Sequence, residues 1–284
     1  ITTIYLELFT NTTLKLSKKK MEILLLFDKG GIILNILICG YGNIGKHIEK
    51  EFDKLKQTIS IYDKYNKSFS DKDILNDKFD YAFVCVPTEM NEDGSCDTSE
   101  IEWIIPKIKA DVIIIKSAIP VGTCESFHLE NIVISPEYYG TTQHSLESPN
   151  FVILGGNEDY CCKVTQLYSR VKDGTFNYIY VDWKTAELAK YMENCWIATK
   201  VTFCNEFADI AKAFGIHYER LRQCFVADER VNPSHTYVYP EQPYYDSHCL
   251  NKDIPALLVS CKRNKIKTPL MDKINTINLE RKSN

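Results

Sequence analysis

Apolar and polar positions follow two rhythms along this chain, and the change between them divides it. Short apolar runs at 35–39, 58–62, 81–86, 111–116 and 131–134 are separated by stretches with helical spacing. Runs of that length, bounded by turn residues, predict buried strands alternating with helices, the pattern of a doubly wound parallel α/β sheet. From 185 to about 214 the rhythm changes to a segment free of Pro and Gly and rich in Ala, Leu, Lys and Glu, followed by Gly215. That segment predicts one long helix with Gly215 at its C-cap. The remainder of the chain, from Ile216 onward, is too small to cover so long and apolar a helix, so the helix is expected to build a homodimer, with Trp196 and Phe203 buried there or against the sheet. Residues 1–34 carry only a short apolar stretch, 23–27, flanked by Glu22 and Asp28. It is too short for a signal core or a membrane span and reads as an extension outside the fold. The expected organisation is thus an extension at 1–34, a sheet domain at 35–182 and a helical domain at 183–284.

Composition narrows the partners. With 284 residues, 44% of them hydrophobic and 25% charged, the chain can bury a sizeable core. Its formal charge of -4 and the lack of a basic block beyond residues 18–20 argue against nucleic acid and for a small ligand. Eleven cysteines are scattered through apolar runs, as Cys39, Cys85, Cys195 and Cys204 are, and no CxxC pair occurs. The adjacent Cys161 and Cys162 have no nearby His. A reducing, cytoplasmic setting without a structural metal is expected, rather than a disulfide scaffold.

The chemistry starts at the end of the first strand. Gly40-Tyr41-Gly42-Asn43-Ile44-Gly45 leads into a helical pattern at 46–56, which makes a strand, a glycine turn and a helix. In such a turn Gly40 permits the tight bend, Gly42 lets backbone approach a pyrophosphate, and Gly45 permits close helix packing, with the phosphates near Asn43 and Ile44 at the helix N-terminus. The second strand ends at Asp63, whose carboxylate can accept from the hydroxyls of an adenine ribose and repel a 2′-phosphate, so NAD is favoured over NADP. Pro87, Thr88 and Ser117 fall just beyond strand ends, where ligands bind in these sheets. On the long helix Lys190 and Asn194 stand one turn apart and share a face. Near the end, residues 247–253 read Ser-His-Cys-Leu-Asn-Lys-Asp and present Cys249 as a candidate nucleophile.

The order of these motifs resembles the UDP-glucose/GDP-mannose dehydrogenases. Besides the glycine turn, the residues that carry the resemblance are Val84-Cys85-Val86-Pro87-Thr88, Asp97-Thr98-Ser99, 116–123, Ser135-Pro136-Glu137, Lys190 with Asn194, Asn205-Glu206 and 249–253. The resemblance implies a Rossmann-like fold followed by a long-helix dimerisation domain, with NAD as cofactor. It also implies a two-step oxidation of a nucleotide sugar's C6 alcohol to a carboxylate, UDP-glucose being the commonest substrate. Cys249 would form a thiohemiacetal and then a thioester, and Glu137 would assist proton transfer or hydrolysis. Lys190 would stabilise an oxyanion, and Asn194 and Asp253 would orient a water or a sugar oxygen. The chain departs from the family pattern at Ala118, where a threonine places a water, and at Thr141, where a second glutamate stands. It departs again at 244–247, Tyr-Tyr-Asp-Ser in place of a glycine-rich loop, which adds bulk beside the thiol. A second nucleotide-gripping domain, which 268–278 would introduce, is expected to be absent. Two further readings stand beside this one: a β-hydroxyacid dehydrogenase, which needs no cysteine, and a non-catalytic NAD-binding subunit.

Overall fold

The computed structural model describes residues 33–138, 149–172 and 174–283. Nearly all of the 1–34 extension, and Thr141, therefore lie outside the described residues.

Strand β1 (Asn35–Cys39) is apolar because both of its faces are covered. Alternate side chains of β1 enter different cores: Ile36 and Ile38 pack on one face of the sheet, Leu37 and Cys39 on the other. The glycine turn feeds α1 (Asn43–Phe52), which begins three residues before the apolar pattern suggested, because the turn itself opens the helix. Then come β2 (Thr58–Tyr62), β3 (Lys78–Val84), α2 (Ser99–Ile104), β4 (Lys109–Ile115), the short α3 (Thr123–Ser126) and β5 (Ile132–Ile134). Beyond them lie β6 (Phe151–Gly156), α4 (Glu158–Tyr168) and β7 (Asn177–Val181). The seven strands run in the order β2-β1-β3-β4-β5-β6-β7, parallel throughout except between β5 and β6. This is the doubly wound Rossmann-like sheet that the strand rhythm predicts, extended by one reversed step.

The long helix is α5 (Trp183–Ala213), 31 residues, and Gly215 follows it in the left-handed region at φ 69°. Its start is welded to the sheet: a Cβ on Gly155 would lie 2.5 Å from the Cβ of Ala186, so only glycine lets the helix sit this close. Trp183 Nε1 donates to the carbonyl of Ile132 at 2.9 Å, and the buried Glu187 carboxylate accepts from the backbone N–H groups of Gly122 (2.6 Å) and Cys124 (2.8 Å). Burial raises Glu187 above the ordinary carboxylate range, although the two backbone donors pull the other way.

After α6 (Tyr218–Phe225) come α7 (His248–Arg263) and α8 (Pro269–Ser283), which pack on α5. Tyr245, Leu250, Ile254, Cys195, Ala198 and Ile274 form a separate helical core. Tyr245 is 4% exposed, and Asn278 clamps its backbone, accepting from its N–H at 2.8 Å and donating to its carbonyl at 3.1 Å. The bulk expected beside the thiol is thus partly carried away into the helical core. Trp196 and Phe203, expected to be buried, are 59% and 45% exposed on α5, so neither packs against the sheet domain.

Candidate active site

Two groups of residues gather at the C-terminal ends of the parallel strands. The first surrounds the glycine turn. Gly40 takes φ 91°, and a Cβ there would lie 2.6 Å from the carbonyl oxygen of Cys85; on Gly45 it would meet the carbonyl of Gly40 at 2.1 Å. A Cβ on Gly42 would meet nothing within 4 Å. The first and third glycines are therefore demanded by the protein's own packing, whereas Gly42 leaves an open approach. The N-terminus of α1, with Asn43 and Ile44, has no side-chain cap, so its first-turn donors face that approach. These features fit the pyrophosphate of a dinucleotide.

Beside the turn lies a cleft lined by Gly40, Tyr62, Asp63, Pro87, Glu100 and Trp103, among others. The Asp63 carboxylate builds part of its own surroundings: Oδ2 accepts from Tyr41 N at 2.7 Å, and Oδ1 accepts from Tyr65 N at 2.8 Å and Asn66 N at 2.9 Å. A carboxylate oxygen has two acceptor positions, so Oδ2 keeps one for a ligand hydroxyl. Ser117, buried, donates from Oγ to the carbonyl of Val86 at 2.6 Å and ties the loop after β3 to the loop after β4.

The second group joins that sheet edge to the helices. Cys249 is exposed in the first turn of α7, where Ser247 caps the helix by accepting from Leu250 N at 3.3 Å. Later in that turn Lys252 donates to Asp253 Oδ1 at 2.6 Å and to Thr88 Oγ1 at 3.2 Å. Thr88 Oγ1 donates to the carbonyl of Ala118 at 2.9 Å, and Asn194 Nδ2 donates to Asp253 Oδ2 at 2.6 Å. Asp253 is 2% exposed and Asn194 4%. One continuous polar chain therefore runs from the strand ends through α7 to α5 and unites Thr88, Asn194 and Asp253, with Cys249 one turn before Asp253 on α7. Lys252 is its central link, a part that its place in the motif alone did not reveal.

Lys190 turns elsewhere. Its ammonium pairs with Glu193 at 2.5 Å and lies 4.6 Å from the centre of the Tyr138 ring, so it shares a helix face with Asn194 while its ion pair is made apart from Asp253. Glu137 is held from below by Lys116, at 3.3 Å, and Lys116 also donates to Ser135 Oγ at 3.3 Å. Lys116 is 3% exposed. Burial pulls its ammonium down, but Glu137, Tyr168 and Cys85 together outweigh this and hold it above its ordinary value. A lone lysine ending the apolar run of β4 was the available signal for this ion pair. Pro255 lies inside α7 and cannot donate to the carbonyl of Asn251.

Comparison with known proteins agrees with this architecture. Residues 43–172 match the NAD binding domain of the UDP-glucose/GDP-mannose dehydrogenase family, and residues 184–280 match its central domain. The UDP-glucose 6-dehydrogenase of Rickettsia prowazekii is 26% identical over 222 residues, which cover 72% of this chain and 50% of that protein. That of Pseudomonas aeruginosa is 26% identical over 225 residues, covering 71% of this chain and 49% of the relative. The chain spans about half the length of these curated relatives. Among solved structures, a UDP-glucose dehydrogenase from Pyrobaculum islandicum superposes with a TM-score of 0.77 at 18% identity, over 89% of this chain and 69% of that one. A UDP-D-ManNAc dehydrogenase from Pyrococcus horikoshii gives 0.71 at 22% identity, over 87% and 69%. Glycine turn, sheet and long helix thus occur here in the order that two consecutive domain models of one family describe, and the chain belongs to the UDP-glucose/GDP-mannose dehydrogenase family, with NAD as the cofactor of its sheet domain.

Proposed function

We propose that this chain carries the catalytic half of an NAD-dependent nucleotide-sugar dehydrogenase, which oxidises a C6 alcohol to a carboxylate in the manner of UDP-glucose to UDP-glucuronate. The observation that supports it most is the polar chain Thr88–Lys252–Asp253–Asn194, which joins the strand ends to the helix that carries the exposed Cys249. Two NAD molecules, bound in turn, would each accept one hydride. In the first, the alcohol loses a hydride and a proton to give an aldehyde. The Cys249 sulfur then adds to the carbonyl carbon, and the resulting thiohemiacetal loses a second hydride and a proton to become a thioester. Water attacks that carbon, the C–S bond breaks, and acid and free thiol are released.

In this reading Lys190 supplies positive charge toward the oxyanion, and Asn194 with Asp253 orients the sugar oxygen or a water. Glu137, paired with the buried Lys116, takes a proton from the attacking water. Gly40, Gly42, Asn43, Ile44, Gly45, Asp63, Pro87, Thr88 and Ser117 hold the cofactor. The domain boundaries are 35–182 for the cofactor and 183–284 for the helices. A homodimer forms on α5, the free cysteines suit a reducing cytoplasm, and the acid produced is of the class consumed in polysaccharide biosynthesis. Among the described residues no helix is long and apolar enough to cross a membrane.

The test is turnover of UDP-glucose with NAD, expected to yield two NADH per sugar. Cys249→Ala is expected to abolish acid formation and leave NAD affinity nearly unchanged. Acid formation at the parental rate in that variant would exclude the covalent route and favour a hydroxyacid-type oxidation. Ala118 favours one second reading, a non-catalytic NAD-binding subunit, because its only polar group toward Thr88 is a backbone carbonyl that already accepts. A parent that binds NAD but oxidises no nucleotide sugar would support it.

A further inference from the structure

The cleft beside the glycine turn carries three charged side chains among its lining: Asp63, Lys64 and Glu100. Lys64 follows Asp63 in the tight turn that the Asp63 carboxylate organises, so the cation stands at the same rim as the carboxylate. Glu100 reaches it from the first turn of α2: its Oε1 accepts from Lys64 Nζ at 2.6 Å and from Tyr65 OH at 2.9 Å. The Glu100 side chain is 18% exposed and that of Lys64 46%, so the carboxylate is the better-held partner. One turn on, Trp103 stacks on Tyr62 with ring centres 6.0 Å apart, which pins α2 against the cleft. Lys72 and Lys107 also approach the Trp103 ring, at 5.4 Å and 4.2 Å, but neither lines the cleft.

In sheets of this type the acid ending the second strand marks the adenine ribose, and a cofactor with a 2′-phosphate needs a cation there. Lys64 would be that cation, yet Glu100 already neutralises it, and the three groups sum to a net negative rim. We propose that Glu100 is a specificity-determining residue: by masking Lys64 it keeps the cleft selective for NAD over NADP. The inference deepens the assignment of NAD to this domain. It makes selectivity depend on two carboxylates, of which only Asp63 is visible from the strand-turn-helix pattern.

The experiment is calorimetric titration of the full chain with NAD and with NADP, read as the ratio of the two affinities. The parent is expected to prefer NAD. Glu100→Gln, nearly isosteric, is expected to shift the ratio toward NADP by about tenfold, and Glu100→Ala, which removes the acceptor Lys64 now pairs with, by at least as much. The shift should shrink near 1 M salt, where screening acts over about 3 Å. Adding Lys64→Met to either variant should return the ratio to the parental value. An unchanged ratio in both Glu100 variants overturns the inference, as does a shift that survives Lys64→Met. A parent that binds neither cofactor overturns the cofactor site itself, and the inference with it, before any variant is compared.

Discussion

Cys249 differs from most of the other thiols in its surroundings. It and Cys224 are exposed, while the remaining nine cysteines are buried or partly so. Burial pushes the thiols of Cys85 and Cys161 up to about 12 and that of Cys195 up to about 11, so these stay protonated and shielded at neutral pH. Iodoacetamide at pH 7.5 (a working value about one unit below a free thiol's) is therefore expected to label Cys249 and Cys224 ahead of the other nine. Peptide mapping by mass spectrometry reads the order, and early labelling of Cys85 or Cys195 would refute the packing described here. The glycines, Asp63 and Cys249 were legible in the sequence because each stands at a fixed offset in a strand-turn-helix unit or a short motif. Lys116, Glu187 and Glu100 were not. Each acts on a partner 21, 63 or 65, and 36 positions away, a relation that only the fold creates.

At the scale of elements, the five strands from β1 to β5 could be read from apolar runs, most plainly β1, β4 and β5, whose residues are buried on both faces. β6 and β7 could not: β7 is half-exposed, and β6 ends in two glycines that carry no apolar signal. Those glycines are what admit α5, and Glu187 secures the same junction by satisfying two backbone donors of the loop after β4. Glu187→Gln keeps the shape but turns an amide N–H toward one of those donors. It is expected to lower stability by about 1 to 3 kcal/mol, the effect of one buried hydrogen-bonding group left without a partner. Denaturant titration checks this, with the midpoint falling at constant slope. An unchanged midpoint would mean that the Trp183 and Gly155 contacts hold the junction alone.

At the scale of the whole molecule, α5 and its C-cap present Leu188, Met192, Trp196, Phe203, Phe207, Ile210 and Phe214, between 40% and 78% exposed, along one apolar stripe. So long a stripe is unusual on a monomer's surface and suits a second copy of the same helix. Sedimentation at micromolar concentration is expected to show a dimer, and Trp196→Glu with Phe203→Glu is expected to dissociate it while the sheet domain stays folded. A monomeric parent would remove the dimer and leave the helix assignment intact. The two domains are also tied within one chain, since the polar bonds from Thr88 through Lys252 and Asp253 to Asn194 cross from strand ends to helices.

That crossing gives Pro255 a mechanical meaning. The turn bearing Cys249 is tied to the strand ends by the Lys252–Thr88 bond and to the helical core by Leu250 and Ile254, and just past it the backbone ladder lacks the rung that Asn251 would have made. The helix is a rod with a joint, and the thiol sits on the short arm. In the proposed covalent route that arm would re-aim as the substrate carbon passes from tetrahedral to planar and back, with the joint taking up the change. Pro255→Ala restores the rung, so it is expected to raise stability by about 1 to 3 kcal/mol and to slow turnover at the same time. Equilibrium unfolding and kcat measured on one preparation decide it: a variant that is more stable and equally fast would leave the joint without a part in the chemistry.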